Sequence, residues 1–475
     1  MKPMINIIAW IAVFLLAGCM VGPDFQKPAV ETPEGFRFAD PEAVETVNLK
    51  WWELFDDPAL DTLVLSALRE NKDVLIAASR VEEARASLGF TRADMYPTFD
   101  IQAGAGTGDF AGGRKSDSTD SNFFIAPTLN WEIDFWGKFR RANDAARAEL
   151  VASEYSMRTV QISLISEVVS TYFLLLDLEM RLAISRETLE SREKTLDIIQ
   201  QRFDKGIVPE LDVNQAQIQR EVAAAAIPLY QRLIVQTENT LSILIGTPPR
   251  QIETGDSLYE QERPPEIPAG LPSSLLERRP DVLAAQFALK SQTERIGVAE
   301  ARRLPAISLT GTAGAASTEL SSMTIEGFAW SVGANLVGPI YQFGKNKKRV
   351  EIEKARTKQA LYQYENIVLL AFREVADALN EIETYREQIN SVKRRYVAAK
   401  NADELAKLRY DKGFSDYLLV LDTERTLFSV GLELSELTKD YYNSYVRLYK
   451  ALGGGWLSEE EMEEAQAATE SPGGP

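Results

Sequence analysis

Residues 71–97, "NKDVLIAASRVEEARASLGFTRADMYP", return in altered form as residues 278–305, "RRPDVLAAQFALKSQTERIGVAEARRLP". The aligned identities keep one constant separation, from Asp73 with Asp281 near the start to Pro97 with Pro305 at the end. Self-similarity at a long, fixed separation is the signature of an internal duplication. The stretch therefore predicts that the chain is built from two copies of one structural unit.

Two further blocks repeat at nearly the same separation. The segment "DFWGK" at 134–138 corresponds to "YQFGK" at 341–345, and "RFDKGIVPELDV" at 202–213 corresponds to "RYDKGFSDYLLV" at 409–420. We predict a first repeat over residues 57–247, a linker over 248–272 and a second repeat over 273–455.

Each repeat contains a long run with neither glycine nor proline, at 138–205 and at 345–412. A helix over either run would measure about 100 Å at 1.5 Å per residue. Apolar residues follow one another at steps of three and four along the first run, which is typical of a coiled-coil seam. The chain is therefore predicted to be mainly α, with long coiled helices.

Two strands precede each long helix, in predicted hairpins over 98–135 and 306–342. Apolar and polar residues alternate along them, and Phe135 continues the apolar face of the second strand. Strands of 10 to 14 residues are long enough to cross a bilayer when tilted. Four strands cannot close a barrel and open edges are not tolerated in lipid, so several chains must share one barrel.

The amino terminus has the features of a bacterial lipoprotein signal. Lys2 and an apolar run precede Cys19, which is the only cysteine of the chain. We predict a signal peptide over 1–18, removed from the mature protein, and a lipidated, proline-rich segment over 19–56. The alternative is an ordinary signal with an incidental cysteine. The acidic residues 456–475 are predicted to be a disordered tail.

Composition excludes several classes of function. The chain contains no histidine, and its formal net charge is −18. Histidine-dependent nucleophiles and most zinc sites are therefore impossible, and an acidic chain is a poor ligand for nucleic acid. We expect no enzyme activity, no metal site and no cofactor apart from the lipid of Cys19.

Six short motifs, in order, resemble the TolC/OprM-type outer-membrane efflux proteins, in particular their lipoprotein branch, which is also called NodT-like. They are "GCMVGPDFQKP" at 18–28, "WWELFDDPAL" at 51–60, "ERRPDV" at 277–282, "FGK" at 343–345, "RYDKG" at 409–413 and "ALGGGW" at 451–456. The resemblance implies a homotrimer with a twelve-stranded outer-membrane β-barrel and a periplasmic α-helical barrel. It also implies that a periplasmic adaptor and an inner-membrane pump of the resistance-nodulation-division (RND) class are partners, with 248–272 forming part of an equatorial collar.

The resemblance also implies roles for single residues. The periplasmic gate would comprise Leu418 as an apolar constriction and Asp422 as a carboxylate ring, with Tyr410 and Asp212 in a closure network. Ser415 stands where TolC has a constriction arginine, and Arg425 is a candidate replacement. The tip that meets the adaptor would contain the two basic turn segments, namely Arg202, Lys205, Gly206, Arg409, Lys412 and Gly413.

Two further groups lie at the end of the second strand. Glu132 and Asp134 would line the pore, and the carboxylates together predict a cation-selective channel. Trp131, Phe135 and Trp136 would form an aromatic belt at the membrane interface.

Three other functions stay open at this point. The chain could be the outer-membrane duct of a type I protein secretion system, or of a metal-efflux system. From another class, it could be a structural coiled-coil lipoprotein of the outer membrane.

Overall fold

The computed structural model describes residues 19–33, 35–36, 50–111, 114–261, 276–317 and 328–454. The predicted signal peptide and acidic tail lie outside these residues. The chain divides into two compact units. Among the described residues, the first unit contains those within 19–29, 80–154 and 284–365, and the second contains those within 30–79, 155–283 and 366–454.

The described elements follow in the same order in both repeats. A short 3₁₀ helix, Trp51–Phe55, and helix α1, Pro58–Glu70, precede the first repeated set. The first set is α2 (Lys72–Ala93), β1 (Thr98–Ala111), β2 (Arg114–Ile133), α3 (Lys138–Asp204) and α4 (Glu210–Leu244). The second set is α5 (Pro280–Ala301), β3 (Ala306–Ser317), β4 (Phe328–Val337), α6 (Lys345–Asp411) and α7 (Tyr417–Leu452).

The two long helices, α3 and α6, contain 67 residues each, and the prediction of a duplicated unit is confirmed. Both end one residue earlier than predicted. One 18-residue segment of α3 is apolar enough for a membrane helix, with a mean hydropathy of 1.5. Because 61% of that segment is buried, it is typical of a core helix.

The four described strands form one antiparallel sheet in the order β1-β2-β3-β4. Strand β2 ends at Ile133 and β4 at Val337, so the predicted hairpins were too long at their carboxyl ends. Phe135 lies beyond β2, and its backbone N–H instead donates to the Ile133 carbonyl at 2.8 Å. The prediction that Phe135 continues the strand face is therefore wrong.

Pro127 lies inside β2 and pairs with Ile101 of β1. On the other side, the pairing of β2 with β3 is interrupted between Ile125 and Thr128, and it resumes in the same register. Proline has no N–H to donate, which accounts for a local gap without a shift. A Cβ at Gly314, in the facing part of β3, would lie 2.6 Å from the Ala126 Cα, so glycine is required for this close approach.

A buried carboxylate organises the second unit. Asp57 caps α1 by accepting hydrogen bonds from the backbone N–H groups of Ala59 and Leu60, at 2.9 and 3.3 Å. Its other oxygen accepts from the hydroxyl of Tyr172 at 2.5 Å and from the amide of Gln261 at 2.8 Å. One side chain therefore joins α1, α3 and the segment after α4.

Asp61, one turn further along α1, provides a test by pH. Burial, with Glu53, Asp57 and Asp56 nearby, raises the pKa of Asp61 from 3.8 to about 6. Because the folded state binds the Asp61 proton more tightly than the unfolded state, protonated Asp61 does not destabilise the fold below about pH 4. The free energy of unfolding falls as pH rises through about 6 and the buried carboxyl ionises. Asp61→Asn should therefore raise the thermal midpoint at pH 7.5, as followed by circular dichroism.

The control for this variant is Asp94→Asn, since Asp94 is exposed. We expect the gain of Asp61→Asn to disappear at pH 4. An equal gain at both pH values would show that the carboxylate charge is not the cause.

Candidate functional site

Both helical hairpins of the second unit end in the same glycine turn. Gly206 and Gly413 have φ angles of +71° and +76°. In the first turn the N–H of Ile207 donates to the Arg202 carbonyl at 2.9 Å, and in the second Phe414 donates to Arg409 at 2.9 Å. These bonds close each helix end, and only glycine adopts the required conformation without strain. The two basic turn segments thus differ in sequence but share one geometry.

A buried apolar cluster holds the two hairpins together near these turns. It is formed by Ile199, Ala216, Ala406, Tyr417, Val420 and Leu421. Above it, the guanidinium of Arg202 pairs with the carboxylate of Asp411 at 3.0 Å and lies 4.7 Å from the centre of the Tyr410 ring. Arg202, predicted to meet an adaptor, is therefore also engaged within the chain. Lys205, Arg409 and Lys412 are exposed.

Helix α7 presents its predicted gate residues on an exposed face, next to the face that packs in this cluster. Asp416 caps the helix by accepting from the Leu419 N–H at 3.3 Å. Leu418 is 60% exposed, and Asp422 and Arg425 are also exposed. At positions i, i+4 and i+7 the three side chains share one side of the helix.

The predicted closure network is not joined within one chain. The hydroxyls of Tyr410 and Ser415 are buried and have no hydrogen-bond partner among the described residues. Burial and the neighbouring Asp416 raise the pKa of Asp212. With the Gln219 amide oxygen oriented towards Arg425, the Arg425 Nη2 and Nε donate to it at 2.8 and 2.9 Å. Within the chain, Arg425 is therefore bound to Gln219.

A charged cluster that was not anticipated from the sequence joins a half-buried lysine, Lys407, to two buried carboxylates. The Lys407 Nζ is 2.9 Å from Asp403 Oδ2 and 3.0 Å from Glu424 Oε1. Burial acts to lower the pKa of Lys407, but the two carboxylates outweigh it and raise the pKa. The sequence signal that could have revealed this cluster is the presence of charged residues at positions where a coiled-coil seam is otherwise apolar. This Lys407 cluster ties α6 to α7.

The strand-end residues of the first unit make local contacts. Glu132 pairs with Lys138 at 2.6 Å, and Asp134 accepts from the N–H groups of Phe139 and Arg140 at 3.0 and 2.8 Å. Asp134 therefore caps α3, which the pore-lining prediction did not foresee.

The aromatic residues of this strand end are anchored by hydrogen bonds. The indole of Trp131 donates to the Met95 carbonyl at 3.1 Å, and that of Trp136 donates to the Pro305 carbonyl at 2.8 Å. Phe135 packs edge-on against Trp136, at 4.7 Å between ring centres. The pore-lining and interface-belt roles stay predictions.

The segment after Cys19 is held in the first unit by a buried arginine, which the sequence did not reveal. Arg141, whose side chain is 3% exposed, donates to the carbonyls of Val21 and Gly22 at 3.1 and 3.2 Å. It also pairs with Asp24 at 2.8 Å and Glu294 at 2.6 Å. The "VGPDF" motif thus supplies three acceptors to one guanidinium.

Glycine is required where this segment lies against the helices. Gly22 has a φ angle of +99°, and a Cβ there would come within 2.4 Å of the Gly297 Cα. The N–H of Val21 donates to the Trp136 carbonyl at 3.2 Å. Cys19 is exposed just before these contacts. The segment that directly follows the cysteine is consequently held beside Trp136.

Comparison with known proteins gives one consistent result. The family described as outer membrane efflux protein matches residues 63–247 and 271–454, which correspond to the two repeats. The chain is 35% identical over 456 residues to the solvent efflux pump outer membrane protein SrpC of Pseudomonas putida, covering 94% of this chain and 97% of SrpC. It is 32% identical over 461 residues to the cation efflux system protein CusC of Escherichia coli O6:H1, covering 95% and 99%.

Solved structures agree with these matches. The outer-membrane channel OprN has a TM-score of 0.86 at 30% identity, over 92% of this chain and all of OprN. A crystal structure of CusC has a TM-score of 0.84 at 29% identity, over 92% of this chain and all of that chain.

Proposed function

Because the chain belongs to the outer membrane efflux protein family and is an outer-membrane efflux channel, we propose that three copies form the exit duct of a tripartite pump. The inner-membrane component is of the RND class, and a periplasmic adaptor joins it to the duct. Small toxic compounds pass through the duct to the exterior. The duct binds no cofactor and carries out no chemistry of its own.

The observation that carries the proposal is the four-stranded sheet of one chain, which leaves β1 and β4 as edges. Apolar side chains on these edge strands are exposed, among them Phe99 at 74%, Trp330 at 70% and Val332 at 78%. A single chain would leave the backbone groups of both edge strands unpaired, which a membrane barrel does not allow because it must be closed. The exposed apolar side chains are typical of the outer face of such a barrel. Since β1 and β4 run in opposite directions, β4 of one chain can pair antiparallel with β1 of the next. Three chains then give twelve strands.

Deletion of the gene tests this function. We expect the deletion strain to become at least about fourfold more sensitive to some members of a panel of drugs, bile salts, solvents and metal ions. The wild-type gene should restore resistance, and the panel would identify the substrate class. Unchanged sensitivity together with the loss of a secreted protein would instead favour the type I secretion alternative.

Lipid on Cys19 is the second part of the proposal. The residues before the cysteine resemble a bacterial lipoprotein signal, and the contacts of Val21 with Arg141 and Trp136 hold the following segment beside Trp136, an aromatic residue of the kind that suits a membrane interface. Several acyl chains on one terminus give firm anchoring. We propose that the lipid serves sorting and tethering, whereas the shared barrel holds the trimer in the membrane.

Replacement of Cys19 tests this division of roles. We expect Cys19→Ser, behind an ordinary cleavable signal, to lose acylation by mass spectrometry while part of the protein still fractionates as membrane-embedded trimer. The matched control is Ser166→Ala, a buried position on α3 that should affect neither measurement. Complete loss to a soluble periplasmic form would show that the lipid is the anchor.

The gate is the third part. Leu418 and Asp422, on the exposed face of α7, would meet their counterparts of the other two chains near the axis. Three copies of Asp422 on a narrow axis would repel one another and attract cations. The glycine turns with Lys205, Arg409 and Lys412 would present exposed cations to the adaptor.

A further inference from the structure

A groove of about 620 Å³ lies wholly within the first unit and is lined by α2, α3, α5 and α6. Its volume falls in the range of pockets that hold drug-sized ligands, about 300–1,000 Å³. Each helix contributes residues spaced by three, four or seven positions, so one face of each is directed to the same space. Alanine and valine form the apolar part of the lining, including Ala84, Ala145 and Val298.

The polar part of this groove is dominated by arginine. Five arginines line it, namely Arg80, Arg295, Arg302, Arg349 and Arg356, against the three carboxylates Glu83, Glu149 and Glu353. Arg356 pairs with Glu353 at 2.9 Å, and Arg295 lies 3.5 Å from Glu149. The side chains of Arg80 and Arg302 have no partner in the part of the chain that the structure describes. The groove therefore has an excess of positive charge in a chain of net charge −18.

The order of the helices identifies the side on which the groove opens. The sheet order places α2 beside α3, and α3 contacts α5 through Arg141 and Glu294. Helix α5 in turn contacts α6 through Gln292 and Glu353 at 2.7 Å. Because α2 and α6 are the two ends of this row and yet line one groove, the row is curved and the groove is on its concave side. The concave side of a closed ring of such rows is its lumen.

The amino-terminal segment gives the same answer independently. It lies on α5 at Gly297. At about 100° per residue, the groove residues Arg295, Ala299 and Arg302 are on the opposite side of the helix. A segment that ends in a lipid must be outside the duct, so the opposite side faces the lumen.

We propose that this groove is a lumenal binding site for amphipathic organic anions. The alanine and valine surface contacts the apolar body of the solute, and the guanidiniums of Arg80 and Arg302 bind its carboxylate or sulfonate. Charge-assisted hydrogen bonds of this kind are stronger than neutral ones. This proposal rests on the proposed trimeric duct. The site would bind anionic solutes inside a duct whose predicted gate is itself anionic.

Binding of pyrenetetrasulfonate to the purified trimer, followed by fluorescence anisotropy at low ionic strength, tests the site. We expect Arg80→Gln with Arg302→Gln to weaken affinity about tenfold or more, and added salt to weaken the wild type. Arg147→Gln is the matched control, because Arg147 is exposed on α3 but does not line the groove. Absence of binding to a conducting wild-type trimer, or equal losses in both variants, would overturn the proposal; a wild type that forms no trimer would instead refute the duct itself.

Labelling of intact cells tests the lumenal position. A membrane-impermeant maleimide should reach Ser87→Cys through the barrel, whereas Gln26→Cys, on the amino-terminal segment, should react only after the outer membrane is permeabilised. The opposite pattern would place the groove outside the lumen and overturn the proposal.

Discussion

Leu418→Ala combined with Asp422→Ala is expected to raise single-channel conductance at least about twofold and to make cells sensitive to vancomycin. Both side chains are exposed on one face of α7, and neither belongs to the buried cluster. Their removal should therefore widen the predicted constriction without unfolding the hairpin. Conductance in planar bilayers and growth on vancomycin are the two measurements.

The matched control is Glu404→Ala combined with Leu405→Ala, a similar exposed pair on α6. It should leave the conductance unchanged. Asp422→Asn alone should reduce the preference for cations, measured as a reversal potential in a salt gradient. Wild-type conductance in the double variant, or a wild-type channel that prefers anions, would remove these residues from the gate.

Lys407→Met is expected to loosen α6 from α7 near their turn. The substitution removes the ammonium that pairs directly with the buried carboxylates of Asp403 and Glu424, and breaking a buried ion pair costs about 3 kcal/mol or more. Roughly a hundredfold more frequent opening follows from that energy. Hydrogen exchange of the backbone amides of residues 403–424 should accelerate accordingly.

The pKa of Lys407 also determines how the effect of this substitution depends on pH. Because the pKa of Lys407 is raised above its ordinary 10.5, its stabilisation is fully present below that value and is lost only at higher pH. The effect of Lys407→Met should therefore be constant between about pH 6 and pH 9. Lys407→Met with Glu424→Met should exchange more slowly than the single variant, since fewer charges are left unpaired. Equal exchange in wild type and Lys407→Met would show that the Lys407 cluster does not hold the helices together.

The elements with regular periodicity could be predicted from the sequence. Helices α3 and α6 begin where the glycine-free runs begin, at Lys138 and Lys345, because nothing in those runs interrupts a helix. The strand ends could not be predicted as well. The alternation of apolar residues continues to Phe135, but Asp134 is recruited to cap α3 and the chain leaves the sheet.

The candidate site was also predictable only where a local sequence pattern determines the structure. The glycine turns have a local signature, because glycine after a long helix favours the αL conformation that both turns adopt. The contacts of Arg141 join residues far apart in sequence, and no local pattern specifies such partners. For Lys407, the pair with Asp403 has helical spacing, but the pair with Glu424 on the next helix has no local signature. The same is true of Arg425, which could have been assigned to Asp422 on spacing but is bound to Gln219 of α4.

Native mass spectrometry of the purified, acylated protein in detergent tests the central claim most directly. We expect a single species of three chains, each carrying its lipid on Cys19. A monomer or a dimer that nevertheless conducts ions in a bilayer would contradict it, because four or eight strands arranged in this way could not form the duct.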